Sequence, residues 1–155
     1  MSLNIVLFEP EIPQNTGNIA RTCVLTGSRL HLIKPLGFSL DEKHLKRAGL
    51  DYWKYLDLTL YDCYEEIREK YKNGTFYFST THGGNFYHCA KFKDEDFIVF
   101  GKESCGLPDK IRNSHPEKNI RIPMIKATTR SLNLSNAVAI VAYEALRQLD
   151  FPNMK

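Results

Sequence analysis

A chain of 155 residues, 43% hydrophobic and with a formal net charge of +3, has room for one domain with a real core. It contains no apolar run long enough to span a bilayer, no low-complexity tract and no internal repeat. The small basic excess permits a nucleic-acid partner without requiring one.

The four cysteines, Cys23, Cys63, Cys89 and Cys105, form no CxxC pair, and free thiols are expected. The five histidines lack metal-site spacing; His82 and His88 with Cys89 come closest. No metal is expected. Met1–Pro13 has no basic region and its apolar run is cut by Glu9 and Pro10, so it does not read as a signal peptide. A cytoplasmic chain is the expectation.

Leu3–Phe8, rich in Ile, Val and Phe and closed by Glu9-Pro10, predicts a buried strand. After the stiff Pro10–Pro13 loop, Asn15 or Thr16 can cap a helix carrying Ile19, Ala20, Cys23 and Val24 on one face and ending near Gly27. Arg29–Ile33 is the second strand, left through Pro35 and Gly37. Asp41–Ala48 reads as a short helix with Lys43, Lys46 and Arg47 on its polar side, and Leu56–Tyr61 as the third strand. Asp62 with Glu65 forms a capping box for a helix to about Lys72, stopped by Asn73-Gly74. Thr75–Ser79 and Phe97–Phe100 are strands four and five. Pro108 starts a short helix, Asn119–Ile122 is strand six, and about Leu134–Leu149 is the final helix. Strands alternating with helices imply a single α/β domain over residues 1–155, with a mostly parallel six-stranded sheet flanked by helices.

Ligands in an open parallel sheet bind beyond the carboxyl ends of the strands, and three such ends are unusual here. After strand one, Asn15 to Arg21 offers a helix start with free amides and an arginine under two turns away. That arrangement suits a phosphate, and reads equally as an ordinary capped helix with a solvated arginine. After strand five, Gly101 and Gly106 bracket Glu103 in a loop that matches neither the phosphate-loop nor the dinucleotide pattern. Glu103 could fix a ribose hydroxyl or a cation, or simply be solvated. After strand six, Pro123 ends the ladder and a polar loop leads into an apolar helix. Ser131, Asn133, Ser135 and Asn136 crowd that boundary, although one helix start needs one cap. The surplus points to a loop that holds something besides its own backbone. No nucleophile elbow and no glycosidase-like carboxylate pair accompanies it. What remains is a site for binding and alignment, suited to transfer from a reactive cofactor.

Taken in order, Asn15–Arg21, Phe100–Pro108 and Ile122–Met124 with Arg130–Asn136 resemble the three motifs of the SPOUT, or trefoil-knot, RNA 2′-O-methyltransferases. Leu3–Pro13, Arg47–Tyr52 and the final helix are similar to the branch that modifies cytidine or uridine 34 of tRNA, the wobble nucleotide of certain leucine isoacceptors. The likeness covers nearly the whole chain and leaves no accessory RNA-binding domain. It implies a deep C-terminal knot, a homodimer with the RNA site at the subunit interface, and S-adenosylmethionine as methyl donor, with no metal. By matched position, Ser79, Gly101, Ile122, Met124, Ser131 and Leu132 would hold the cofactor. Arg21 would be the catalytic arginine, supported by Asn15, Glu103, Ser131 and Asn133; Ser135 and Asn136 are then left to begin the helix.

The resemblance also offers Tyr143, Lys43, Lys46 and Arg47 to the RNA, here the tRNA anticodon stem-loop. Tyr143 reads equally as a core tyrosine, and a solvated helix face is the commoner meaning of such a basic cluster. One departure is the loop Ile125–Thr129, less acidic and one residue longer than the family pattern. The alternatives are a ribosomal RNA 2′-O-methyltransferase and a non-catalytic RNA-binding module on the same fold; the presence of Arg21, Glu103, Ser131 and Asn133 argues against the module.

Overall fold

The computed structural model describes residues 2–41, 51–126 and 129–155. Strands β1 (Asn4–Phe8), β2 (Arg29–Ile33), β3 (Leu58–Tyr61), β4 (Phe76–Ser79), β5 (Asn85–Phe86), β6 (Phe97–Phe100) and β7 (Asn119–Arg121) form one sheet. Its order is β3-β2-β1-β6-β4-β7-β5, and every pairing is parallel. The described helices are α1 (Pro13–Thr26), α2 (Tyr64–Lys70), α3 (Asp109–Arg112) and α4 (Leu134–Gln148). The short helix expected from Asp41 to Ala48, with Lys43, Lys46 and Arg47, lies almost wholly outside the described residues.

Alternation along the strands makes two cores. Leu3, Ile5, Leu7, Leu30, Leu32, Ile98 and Phe100 face α1 through Ile19 and Cys23, and α4 through Val138, Val141 and Ala145. Val6, Phe8, Ile33, Phe76, Phe78, Phe97 and Val99 face the other way, onto Ile67 of α2 and Ile111 of α3. Because both faces are covered, β1, β2 and β6 are apolar almost throughout, as parallel strands must be. Each such side chain contributes roughly 1.5–3 kcal/mol by leaving water.

The buried polar exception on β2 is His31, 1% exposed. Its Nδ1 lies 3.0 Å from the Tyr61 hydroxyl and its Nε2 3.0 Å from Asn4 Oδ1, with Tyr71 and Phe97 against the ring. Burial pushes its pKa down to about 4, so the ring is neutral at pH 7.

Three local expectations are corrected. The sheet has seven strands, because Asn85–Phe86 adds a two-residue edge, too short and too exposed to show a period. Helix α1 starts at Pro13, with proline at the first helical position and no side-chain cap; Asn15 and Thr16 lie inside its first turn. Helix α2 has Cys63 at its N-cap position with no side-chain cap bond, and the carboxylate that reaches back is Glu66, accepting from the Asp62 amide, so there is no capping box of Asp62 with Glu65. Asp62 instead turns its carboxylate to Lys34 at 2.9 Å. At the other end of α1 the expectation holds: Gly27 sits at φ 67°, in the left-handed conformation that ends helices.

Candidate functional site

The strand order changes direction between β1 and β6, since β2 and β3 lie on one side of β1 and β6, β4 and β7 on the other. Such a switch point opens a crevice beyond the carboxyl ends of the strands. A cavity of about 450 Å³ lies there. Its walls come from the ends of four neighbouring strands: Ile12 and Asn15 after β1, Gly101–Leu107 after β6, Ser79–His82 after β4, and Ile122 and Met124 after β7. Ser131, Leu132 and Asn133 with Leu134 and Ala137 of α4 close the remaining side.

The loop after β6 has little freedom. A side chain on Gly101 would place its first carbon 2.1 Å from the Gly106 carbonyl carbon, so only glycine fits beneath that turn. Gly106 itself sits at φ 69° and donates its amide to the Lys102 carbonyl at 2.9 Å. Three side chains bind the loop to the segment after β1. Lys102 Nζ donates to Glu9 at 2.6 Å. Glu11 Oε1 accepts from the Ser104 hydroxyl at 2.6 Å and the Ser104 amide at 3.0 Å, and these bonds hold the Glu11 carboxyl below its usual range. Glu103 reaches the opposite way, accepting from the Glu11 amide at 2.8 Å and the Ile12 amide at 3.1 Å.

Glu103 also begins a relay. Its Oε1 accepts from Asn15 Nδ2 at 3.3 Å, Asn15 Oδ1 accepts from Asn133 Nδ2 at 2.9 Å, and Asn133 Oδ1 accepts from the Ser135 and Asn136 amides. Asn133 therefore caps α4 and holds α1 at once, because an amide has an acceptor at one corner and donors at the other. Three loops are fastened through one carboxylate and two asparagines, by bonds that span 88 to 118 residues of chain. The chain's own Glu103 thus occupies the two amides just before α1, those of Glu11 and Ile12. The cap of α4 is Asn133, not Ser135 or Asn136.

Of the residues singled out from the sequence, Asn15, Ser79, Gly101, Glu103, Ile122, Met124, Ser131, Leu132 and Asn133 all line the cavity. Arg21 does not. It lies six residues beyond Asn15 on α1, exposed, with its guanidinium 5.1 Å from the centre of the Tyr52 ring. Tyr52 is itself tied to α1 by its hydroxyl, which donates to the Gly17 carbonyl at 2.7 Å. Tyr143 is 44% exposed on α4, so the core-tyrosine alternative fails. The sequence reading missed Glu11, Ser104 and the Thr80–His82 wall. Only the last had a signal, since it directly follows a strand end. No cluster of His, Cys, Asp and Glu suited to a metal occurs among the described residues.

A parallel α/β sheet with a cavity at its switch point, walled by loops from four strand ends, defines the class of α/β proteins that bind and align a ligand beyond the carboxyl ends of their strands. The comparisons make it specific. Residues 2–143 match the sequence profile of the SpoU rRNA Methylase family, and the chain belongs to that family. It is 48% identical over 151 residues, covering 97% of this chain and 96% of the relative, to the tRNA (cytidine(34)-2'-O)-methyltransferase of Escherichia coli K12. A relative of the same name from Methylovorus glucosotrophus is 48% identical over 149 residues, 96% of each chain. A solved structure described as giving structural insights into the 2-OH methylation of C/U34 on tRNA superposes with a TM-score of 0.89 at 44% identity, covering 96% of this chain and 97% of that one.

Proposed function

We propose that this chain transfers a methyl group from S-adenosylmethionine to the ribose 2′-hydroxyl of the wobble nucleotide, cytidine or uridine 34, of tRNA. The observation that carries the reading is the Glu103–Asn15–Asn133 relay, which brings three separate motifs to one cavity in a chain alike over nearly its whole length to enzymes of that name.

The cavity suits the cofactor chemically. Leu107, Ile122, Leu132 and Leu134 supply apolar surface for an adenine, and Ser79, Thr80 and Ser131 supply neutral hydrogen bonders. Gly101 lets the Gly106–Leu107 backbone pack directly against it, which fixes the loop that walls the cavity. Bound there, S-adenosylmethionine would supply an electrophilic sulfonium methyl. The residues around it bind and align: Ser79, Gly101, Ile122, Met124, Ser131 and Leu132 hold the donor, while Asn15, Glu103 and Asn133 keep the walls in register. No covalent nucleophile is involved.

Arg21 is the residue assigned to the substrate. A guanidinium keeps its proton too tightly to act as a base, so its part is to clamp the phosphate next to the reacting ribose. That phosphate or water takes the hydroxyl proton. In one protomer Arg21 stands outside the cavity, which accords with a homodimer whose RNA site lies between subunits. The anticodon stem-loop of leucine tRNAs is the substrate in this reading. Tyr143, Lys43, Lys46 and Arg47 are its outer contacts, the last three lying outside the described residues. The loop Ile125–Thr129 borders the same site; its Ala127 and Thr128 also lie outside the described residues. The C-terminal segment threads as a knot, and the enzyme works in the cytoplasm.

A ribosomal RNA target is the second reading, favoured by the family's own description. Methyl transfer from labelled S-adenosylmethionine to total tRNA, followed by nucleoside mapping, separates the two. Label at the wobble ribose is the expected result; label confined to ribosomal RNA rejects the wobble assignment. Calorimetry that finds no binding of S-adenosylmethionine rejects both.

A further inference from the structure

An arginine that clamps a phosphate faces two demands. Its long side chain has to be held in one direction, and its N–H donors have to stay free for the phosphate oxygens. A carboxylate partner meets the first demand and defeats the second, because it takes the donors and cancels the charge. Arg21 is exposed on α1, and no carboxylate pairs with it among the described residues. The contact it makes is with an aromatic face: its guanidinium carbon lies 5.1 Å from the centre of the Tyr52 ring. A ring face attracts the cation at that range and uses none of the N–H groups, which lie around the rim of the guanidinium plane.

The ring is itself fixed. Tyr52 belongs to the 3₁₀ turn Asp51–Tyr55, which is closed by the Leu56 amide donating to the Trp53 carbonyl at 3.0 Å. Tyr52, Trp53 and Leu56 all pack, half-buried, against the core on the α1 side of the sheet. The Tyr52 hydroxyl donates to the Gly17 carbonyl at 2.7 Å. Gly17 precedes Arg21 by four residues, so the two share a face of α1. In helical register the carbonyl that Tyr52 grips is also the one that the Arg21 amide meets. Tyr52 thus spans one helical turn, with its hydroxyl on the buried Gly17 and its ring against the exposed Arg21.

We infer that Tyr52 is a positioning residue for Arg21: its ring holds the guanidinium on α1 while leaving the donors unspent for the RNA phosphate. This rests on Arg21 as the phosphate clamp proposed above, and adds the group that keeps the clamp in place. Tyr52 is not among the residues that line the cofactor cavity, so its part lies on the RNA side of the reaction. Loss of that positioning falls on turnover and not on cofactor binding.

Methyl transfer to total tRNA at saturating S-adenosylmethionine tests it, in Tyr52→Leu, Tyr52→Met and Tyr52→Phe, each alone and each combined with Arg21→Ala. Tyr52→Leu and Tyr52→Met remove the ring by two routes, and each should lower kcat about tenfold, within the span of one cation–π contact. Their affinity for S-adenosylmethionine, by calorimetry, should equal that of the wild type. Tyr52→Phe keeps the face and should lose no more than about threefold, the span of one neutral hydrogen bond. In the Arg21→Ala background none of the three should lower the residual rate further, because the group they position is gone. An equal fall in both backgrounds overturns the inference, since Tyr52 then acts through the fold and not through Arg21. So does Tyr52→Phe as slow as Tyr52→Leu, or weaker cofactor binding in Tyr52→Leu and Tyr52→Met alike. Wild-type rates in Tyr52→Leu and Tyr52→Met, with Arg21→Ala impaired, overturn it and leave the Arg21 clamp standing. Arg21→Ala as active as the wild type removes the clamp and the inference with it, and a wild type that methylates no RNA rejects the proposed function as well.

Discussion

Two polar networks lie within this sheet, and they differ in what surrounds them. The His31 network joins β1, β2 and β3 through Asn4, His31 and Tyr61, and is sealed by Tyr71 and Phe97. The Glu103 network joins the segments after β1 and β6 and before α4 through Glu103, Asn15 and Asn133, and one side of it is open to a cavity. Both keep their side chains hydrogen-bonded, as buried groups require. The sealed one holds strands that already pair through their backbones. The open one holds loops that have no ladder of their own, so side chains must do that work. Polar residues in the loops beyond the strands therefore bear on ligand binding, and polar residues within the strands bear on stability.

Arg21→Ala sharpens the contrast most. Methyl transfer should fall on the order of 10²–10³-fold, the usual cost of removing one charged clamp. Affinity for S-adenosylmethionine and the unfolding midpoint should stay as they are. Unchanged turnover removes Arg21 from the mechanism and leaves the cavity as a binding site only.

The sealed network should show itself in acid. The folded pKa of His31 is depressed to about 4 from an ordinary 6.5, so the unfolded chain binds the extra proton between those values. Stability is therefore fully present above pH 6.5 and declines as pH falls towards 4, by up to about 3 kcal/mol. Urea unfolding across this window measures it, and His31→Gln should flatten the curve in that range. An unflattened curve assigns the acid sensitivity to other groups.

Glu103→Ala should blur the two classes, because it leaves the Glu11 and Ile12 amides without their acceptor. A loss of about 1–3 kcal/mol in unfolding free energy is expected, together with weaker cofactor binding by calorimetry. A variant as stable as wild type shows the loops to be held by packing alone. The smallest effect belongs to Glu11→Gln, which keeps the shape but weakens the bonds to Ser104. Cofactor affinity should drop only a few-fold, in line with about 0.5–1.5 kcal/mol per hydrogen bond, with turnover at saturation unchanged. A fall in turnover would move Glu11 from loop positioning into the reaction.

Much of the frame was legible along the chain. β1, β2 and β6 are short apolar runs ended by charge, proline or glycine, and a strand buried on both faces can hardly be written another way. The final helix was visible to within a residue, because its apolar stripe is long and no proline interrupts it. β5 was not legible: two residues carry no period, and their strand character comes from pairing with β7. The start of α1 was misplaced because two good capping residues follow Pro13, and what they cap could be judged only once Asn15 was seen to face Glu103 and Asn133.

By itself, the sequence determined the alternation of elements and the three polar strand ends, since these depend on neighbours close along the chain; Ser79, Ile122, Met124 and Leu132 of the cavity lining came only through the family resemblance. The tertiary structure decided which partners those polar groups take. Glu103 became the occupant of the amides before α1, Asn133 became both cap and clasp, and Tyr52 was fastened to Gly17 beside Arg21. The physical reason is the same in each case: a hydrogen bond is settled by distance and direction in space, and sequence separations of 88 and 118 residues say nothing of either.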